Sequence, residues 1–371
     1  MTVKRRFDYD LMRVLSMFGV VYLHTAAGAL RHPENAAVWH FSNLITALAT
    51  TAVPLFFMLS GALLLSRPET ADPGVVLKKR LPKILLPLLA WSGLIILLTA
   101  RGDPAGAASL LGNLLHNPVV VPYWFLYALV PMYLLAPLLK EMADGLTPVL
   151  WRYLLGLWFV LVLGLRTLRA FLPEGIWRTA LTEHGSFNLI FVGGYLGYFL
   201  LGAALERMEH LPSRRALWAA AGVLYILIAA GTAWRTYSSG VYDETFKSYL
   251  NLFAALLSVV LFLLARSYLS QRESGRVMTY FSGISFGVYL AHPKAINLMQ
   301  HLWYVLLHDT VDTIPDQVLL YLAILAGCVV GVSIAASIPV VCYLLTGQRF
   351  SAARRESSLL ALFRPAQNRN N

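Results

Sequence analysis

Charged residues are scarce in this chain, and acidic ones are missing from the middle of every long apolar run. Lys, Arg, Asp and Glu make up 13% of the 371 residues, against about 25% in an ordinary soluble domain. The few present cluster between apolar runs, which excludes a soluble enzyme with a hydrated surface. The runs do not alternate apolar with polar, which argues against a membrane β-barrel. With no Asp or Glu deep in a run, the carboxylate relay that proton-coupled transporters need has no candidates. Glycosidase-type carboxylate pairs and carboxylate metal sites are excluded from the membrane in the same way. GxSxG, P-loop and HExxH signatures are absent. There are two cysteines, Cys328 and Cys342, both in the last apolar run. They make neither a disulfide framework nor, by themselves, a metal site, and they read as small buried hydrophobes. The first apolar run lacks a small-residue cleavage site, so it is expected to remain as a full span.

What is there is hydrophobic. Apolar residues make up 58% of the chain, and the mean hydropathy is +0.62. This composition predicts an all-α fold, a polytopic membrane bundle of about ten helices with no soluble domain. The expected spans are 11–30, 42–65, 84–100, 122–139, 151–168, 187–205, 216–234, 249–267, 277–300 and 318–345. Residues 1–345 then form one transmembrane domain. Residues 346–371 form a short basic tail, whose SSLLALF stretch is expected on or near the inner membrane surface.

The net charge of +11 is not a nucleic-acid signal, because it is sided. With Lys4, Arg5 and Arg6 placed in the cytoplasm, the inner segments hold 21 Lys and Arg and the outer segments eight. That asymmetry puts both termini in the cytoplasm.

Two polar residues stand out against this background. Arg13 and His24 lie within LMRVLSMFGVVYLHTAAGAL (11–30). Eleven residues is about three helical turns, so both point the same way, about 16 Å apart along the axis. A structural account exists for Arg13, since it can snorkel to the headgroups or pair with Asp10 one turn earlier. His24 is harder to dismiss, because an imidazole in hydrocarbon needs hydrogen-bond partners. His292 falls at a comparable depth. The two histidines either face one cavity or are unrelated buried residues. Six other histidines map to loops, and His301 is ambiguous.

A second cluster is KKRLPKILLP (78–87). Lys78 and Lys79 read as inner-side charge. Arg80 and Lys83 lie one turn apart at a helix start, beside its positive dipole end, and suit phosphate groups. Pro82 fits the first turn and Pro87 a kink. In YWFLY (123–127), Tyr123 reads as part of the interfacial aromatic belt, while Trp124 is a candidate to stack on a sugar ring. Gly193, Gly194, Gly197 and Gly202 suggest close helix packing.

DLMRVLSMFGVVYLHT (10–25), with an arginine, ten residues and a histidine, resembles the first-helix signature of integral-membrane acyltransferase family 3. VPLFFMLSG (53–61), RLPKILLP (80–87), YWFLYALVPMYLLAPLL (123–139) and SFGVYLAH (285–292) resemble further family segments, in order. The resemblance covers nearly the whole membrane core. It is closest to the stand-alone branch that includes the O-acetyltransferase of enterobacterial common antigen.

The resemblance implies transfer of an acyl group, usually acetyl, from cytoplasmic acyl-CoA to a hydroxyl of a cell-envelope or exported glycan. The expected donor is acetyl-CoA, without a metal. The expected partners are a glycan or lipid-linked saccharide and membrane lipid, not nucleic acid. The expected location is the bacterial inner membrane. By position, His24 becomes the catalytic histidine and Arg13 its partner, with Asp10 in support. Arg80, Lys83 and Arg13 become contacts for the CoA phosphates. The family often has arginine where Lys83 stands, and lysine lacks the planar fork. Trp124, His292 and Tyr289 are candidates for acceptor binding. The rival reading is a transporter or flippase for lipid-linked glycans.

Overall fold

The computed structural model describes residues 5–100, 102–182, 194–308 and 310–358. These residues are overwhelmingly helical. No strand occurs among them beyond an isolated bridge between Arg6 and Glu273. Each expected span carries a helix, except that residues 187–193 of the sixth lie outside the described residues.

By length and composition, six helices among the described residues suffice to cross a membrane. A seventh is added if the bent pair Val121–Leu134 and Ala136–Gly145, at 63°, is one span. The other three expected spans fall on helices that do not pass this measure. Helix α1, Phe7–Thr25, carries Asp8, Asp10 and Arg13. Helix α2, Leu196–Glu206, is short. Helix α3, Arg276–Leu307, is long and has His292, Pro293 and Lys294 in its middle.

Helix α1 is central. It packs against α3, against Ala36–Ala49 and Ala52–Leu65, and against Leu252–Leu269 and Ile314–Ala336. The helical period explains how it serves several neighbours. Val14, Met17 and Val21 form one apolar stripe, buried with Ile284, Val288, Leu320 and Ile324. Tyr9, Met12 and Val20 face a second, larger core with Phe57, Tyr123 and Tyr198.

The closest approach is between α2 and Ala52–Leu65. A Cβ on Gly61 would sit 1.7 Å from the Phe199 carbonyl oxygen, and one on Gly202 would sit 1.9 Å from that of Met58. Gly197 likewise makes room for the Trp158 indole. Of the four glycines expected to serve close packing, Gly197 and Gly202 do so. Gly194 has nothing within 4 Å of a Cβ and a left-handed φ of 67°, and Gly193 lies outside the described residues. Both cysteines are free and buried.

Two irregular turns bear on the site. A π-helical turn spans Val76–Arg80, closed by the Leu81 N–H on the Val76 carbonyl. Pro82 then opens the helix Pro82–Ala100 as its first residue. At the other end of the chain, Pro339–Thr346 ends at Gly347, whose φ of 68° is left-handed. Its α-carbon lies so close to the Lys83 carbonyl that a Cβ would be 2.1 Å from that oxygen. The residues that follow dock on α3. Gln348 donates to the Gly283 carbonyl, Ser357 donates to Gln348 at 2.8 Å, and Arg5 pairs with Glu356 at 2.5 Å. The SSLLALF stretch from residue 359 on lies outside the described residues.

Candidate active site

Polar residues on α1 and α3 meet at two levels. On α3, Ser282, Ser285, Tyr289 and His292 are spaced three, four and three apart, which puts them on one face. At the lower level Arg13 donates to Ser282 at 2.8 Å and pairs with Asp10 at 3.1 Å. At the upper level the rings of His24 and His292 are 5.2 Å apart, tilted by 34°. The two contacts are eleven residues apart on α1 and ten on α3, so the helices run parallel in register. The levels are therefore separated by about 15 Å.

Arg13 does not snorkel outward. Asp10, 3% exposed, holds it from behind. Asp10 also accepts from Arg5, Ser274 and Ser282. With so many donors on one carboxylate, the arginine is fixed before any ligand arrives.

A cavity of about 340 Å³ begins at this level. Arg13, Arg67, Arg80 and Lys83 line it, with Ser60, Tyr133, Ser282, Gln348, Phe125 and Tyr289. Arg67 and Lys83 are exposed and mark its mouth. Phe125 and Tyr289 are buried and mark its depth. Arg67 and Lys83 have no ion-pair partner among the described residues. Arg80 pairs with Glu69 at 2.8 Å, and its Nε is buried without a partner among the described residues. Glu69's own backbone amide, then Arg80 and Arg67, hold its carboxyl below the usual carboxylate range. Four cations around one cavity create a strongly anion-attracting site. Among the described residues no three metal-ligating side chains converge.

Tyr289 connects the cavity to the histidines. Its ring lines the cavity and lies 5.7 Å from the His292 ring. Its hydroxyl donates to the Pro122 carbonyl, and Tyr123 donates to the Leu290 carbonyl at 2.6 Å. Pro293 explains the local geometry of His292. A proline has no N–H, so the carbonyl four residues back, that of Tyr289, loses its helical donor. His292 Nδ1 makes that bond instead. A carbonyl only accepts, so Nδ1 carries the proton and Nε2 is the bare nitrogen. His292 is fully buried, and its Nε2 has no partner among the described residues. His24 is half-buried.

Arg13, Arg80, Lys83 and Tyr289 thus share one cavity, and His24 and His292 form a pair beyond it. Lys78 and Lys79 do not line the cavity. Trp124 does not line it either. It lies in an aromatic cluster with Tyr195 at 4.8 Å and Tyr249 at 5.9 Å. Tyr123 is not an interfacial residue, because it is fully buried and hydrogen-bonded to α3. His40 lies on the helix Ala36–Ala49, not in a loop.

Sequence reasoning missed Arg67, Tyr133, Ser282 and Gln348. Arg67 was hidden among inner-side charges. The three-four-three polar stripe on α3 was a signal that would have found Ser282.

The described residues form a helical bundle with a cavity lined by cations and two adjoining imidazoles, one of them fully buried. A family model described as an acyltransferase domain matches residues 6–333, and the chain belongs to that family, acyltransferase family 3. It is a membrane acyltransferase. No curated protein and no solved structure matches the chain.

Proposed function

We propose that this protein is an O-acyltransferase of the bacterial inner membrane. It moves an acyl group, acetyl in the first instance, from cytoplasmic acyl-CoA to a hydroxyl of a cell-envelope or exported glycan. The observation that carries this reading is the layout along α1 and α3: a cluster of cations lining a cavity, then Tyr289, then two adjoining imidazoles.

Arg80, Lys83 and Arg67 are the contacts for the CoA phosphates, with Arg13 held by Asp10 at the inner wall. The thin pantetheine arm passes Tyr289 toward His24. His24 takes the proton of the acceptor hydroxyl as that oxygen attacks the thioester carbonyl. The C–S bond then breaks, and the proton returns from His24 to the departing CoA thiolate. Excluding water from the apolar passage protects the thioester. A flippase for lipid-linked glycans is disfavoured, because family membership supports acyl transfer and a flippase has no need of an acyl donor.

The test follows CoA thiol release and label transfer from radiolabelled acetyl-CoA in membrane vesicles containing the cell's own glycans. The wild type should release thiol and label glycan. His24→Ala should lose about 10²–10⁴-fold in rate while remaining folded. Wild-type turnover in folded His24→Ala, or no thiol release by the wild type, overturns the reading.

A further inference from the structure

The buried His292 has one ring nitrogen fully accounted for and one not. Pro293 frees the Tyr289 carbonyl, and His292 Nδ1–H occupies it. That bond fixes both the tautomer and the ring plane. It leaves Nε2 as a lone pair with no partner among the described residues, in a side chain with no exposed surface. A buried acceptor left unpaired is costly, and one held so firmly in a native protein calls for an occupant. The neighbouring ring is His24, 5.2 Å away between centroids. His24 makes no hydrogen bond of its own among the described residues. Its χ2 torsion is of the soft, broadly two-fold kind.

We propose that His292 is a positioning residue: its Nε2 accepts the N–H of the His24 ring, so that the other His24 nitrogen is left as the lone pair that meets the acceptor hydroxyl. The result is a one-way chain. The Tyr289 carbonyl accepts from His292 Nδ1, His292 Nε2 accepts from one His24 nitrogen, and the second His24 nitrogen accepts the substrate proton. When His24 becomes an imidazolium, both its nitrogens donate, one of them to His292. The fixed backbone carbonyl behind His292 supports that charge. No carboxylate is needed for this, and none lies deep in the spans. This inference rests on the acyl-transfer reading with His24 as base.

The two isosteres of histidine separate the roles of its nitrogens. In His292→Asn the side-chain amide can still donate to the Tyr289 carbonyl, but nothing reaches the Nε2 position. In His292→Gln the amide oxygen reaches that position and accepts. With acetyl-CoA and native vesicles, thiol release should fall at least tenfold in His292→Asn and His292→Phe. The upper bound is the ~10⁴-fold that a wrong tautomer costs in a hydrolase triad. His292→Gln should stay within a few-fold of wild type. Acetyl-CoA affinity should be unchanged in all three.

A second readout needs neither acyl donor nor acceptor. The rate at which diethyl pyrocarbonate carbethoxylates His24, followed by mass spectrometry, reports how available its lone pair is. It should slow in His292→Asn and recover in His292→Gln. If His292 bound the acceptor instead, that rate would not move, and the proposal would be overturned. Wild-type turnover in His292→Asn, or His292→Gln as poor as His292→Asn in folded protein, overturns it too. The wild-type protein decides the matter where variants do not fold. There His24 should be modified before His292, whose Nε2 is engaged, and the reverse order refutes the pairing. Carbethoxylation reads the histidine pair even if no thiol is released, so failure of the acyl-transfer reading is distinguishable from failure of the pairing.

Discussion

At the scale of single residues, this protein concentrates its cost in a few polar groups and compensates each of them locally. Arg13 is tolerated because Asp10 and Ser282 hold it. Asp10 is tolerated because several donors converge on it. Asp10→Asn removes the charge that offsets Arg5 and Arg13, and hydrogen bonds to ionised groups contribute about 1.5–3 kcal/mol each. The variant should therefore melt earlier than wild type in a thermal unfolding assay, and acyl-CoA affinity should fall as Arg13 loses its orientation. Arg80 offers a sharper prediction. Its loss in Arg80→Ala should weaken acetyl-CoA binding by roughly one to two decades in Kd, measured by calorimetry on purified protein. Arg80→Lys should recover part of that, since the charge stays and the planar fork goes. Lys78→Ala, which does not touch the cavity, should bind as wild type does. Equal small losses at Arg80 and Lys78 would mean that the phosphates dock elsewhere.

At the scale of elements, position is set by close approach and by irregular turns. The π-helical turn Val76–Arg80, with Pro82 two residues past its end, places Arg80 and Lys83 on one cavity. Such turns are frequent at functional sites. Helix α2 and Ala52–Leu65 touch backbone to backbone, so Gly61→Ala or Gly202→Ala must push the pair apart. Overpacking of this kind typically costs about 1–3 kcal/mol, and both variants should show a lowered melting temperature. Gly93→Ala meets nothing within 4 Å and should be neutral or slightly stabilising, because alanine favours the helix. A neutral Gly61→Ala would mean that these helices are not in contact.

At the scale of the whole molecule, α1 and α3 run parallel in register through the middle, and the other helices build walls around that axis. The residues following Gly347 close the cavity from the far end of the chain, so the site draws on residues from Arg13 to Gln348. The basic asymmetry of 21 to eight predicts that reporter fusions at residues 110 and 240 read outside and a fusion at residue 210 inside. A fusion at 210 that reads outside would invert the expected topology and put the cationic cavity on the wrong side for a cytoplasmic donor.

Much of this was legible in the sequence. The apolar runs fixed the all-helical membrane class, because hydrocarbon admits only helices and closed barrels and the runs lack a barrel's alternation. The spacing of Arg13 and His24 put them on one face, and Asp10 was the partner within reach of Arg13. Tertiary structure decided the rest. Whether His24 and His292 adjoin depends on how two helices some 260 residues apart in the chain are registered, and no local pattern carries that. Tyr123 has the composition of a belt residue and is fully buried, with its hydroxyl donating to the Leu290 carbonyl on α3. Arg67 looked like one more inner-side charge until the fold turned it into the cavity. Periodicity tells which residues share a face, but which faces meet is settled only when the helices pack.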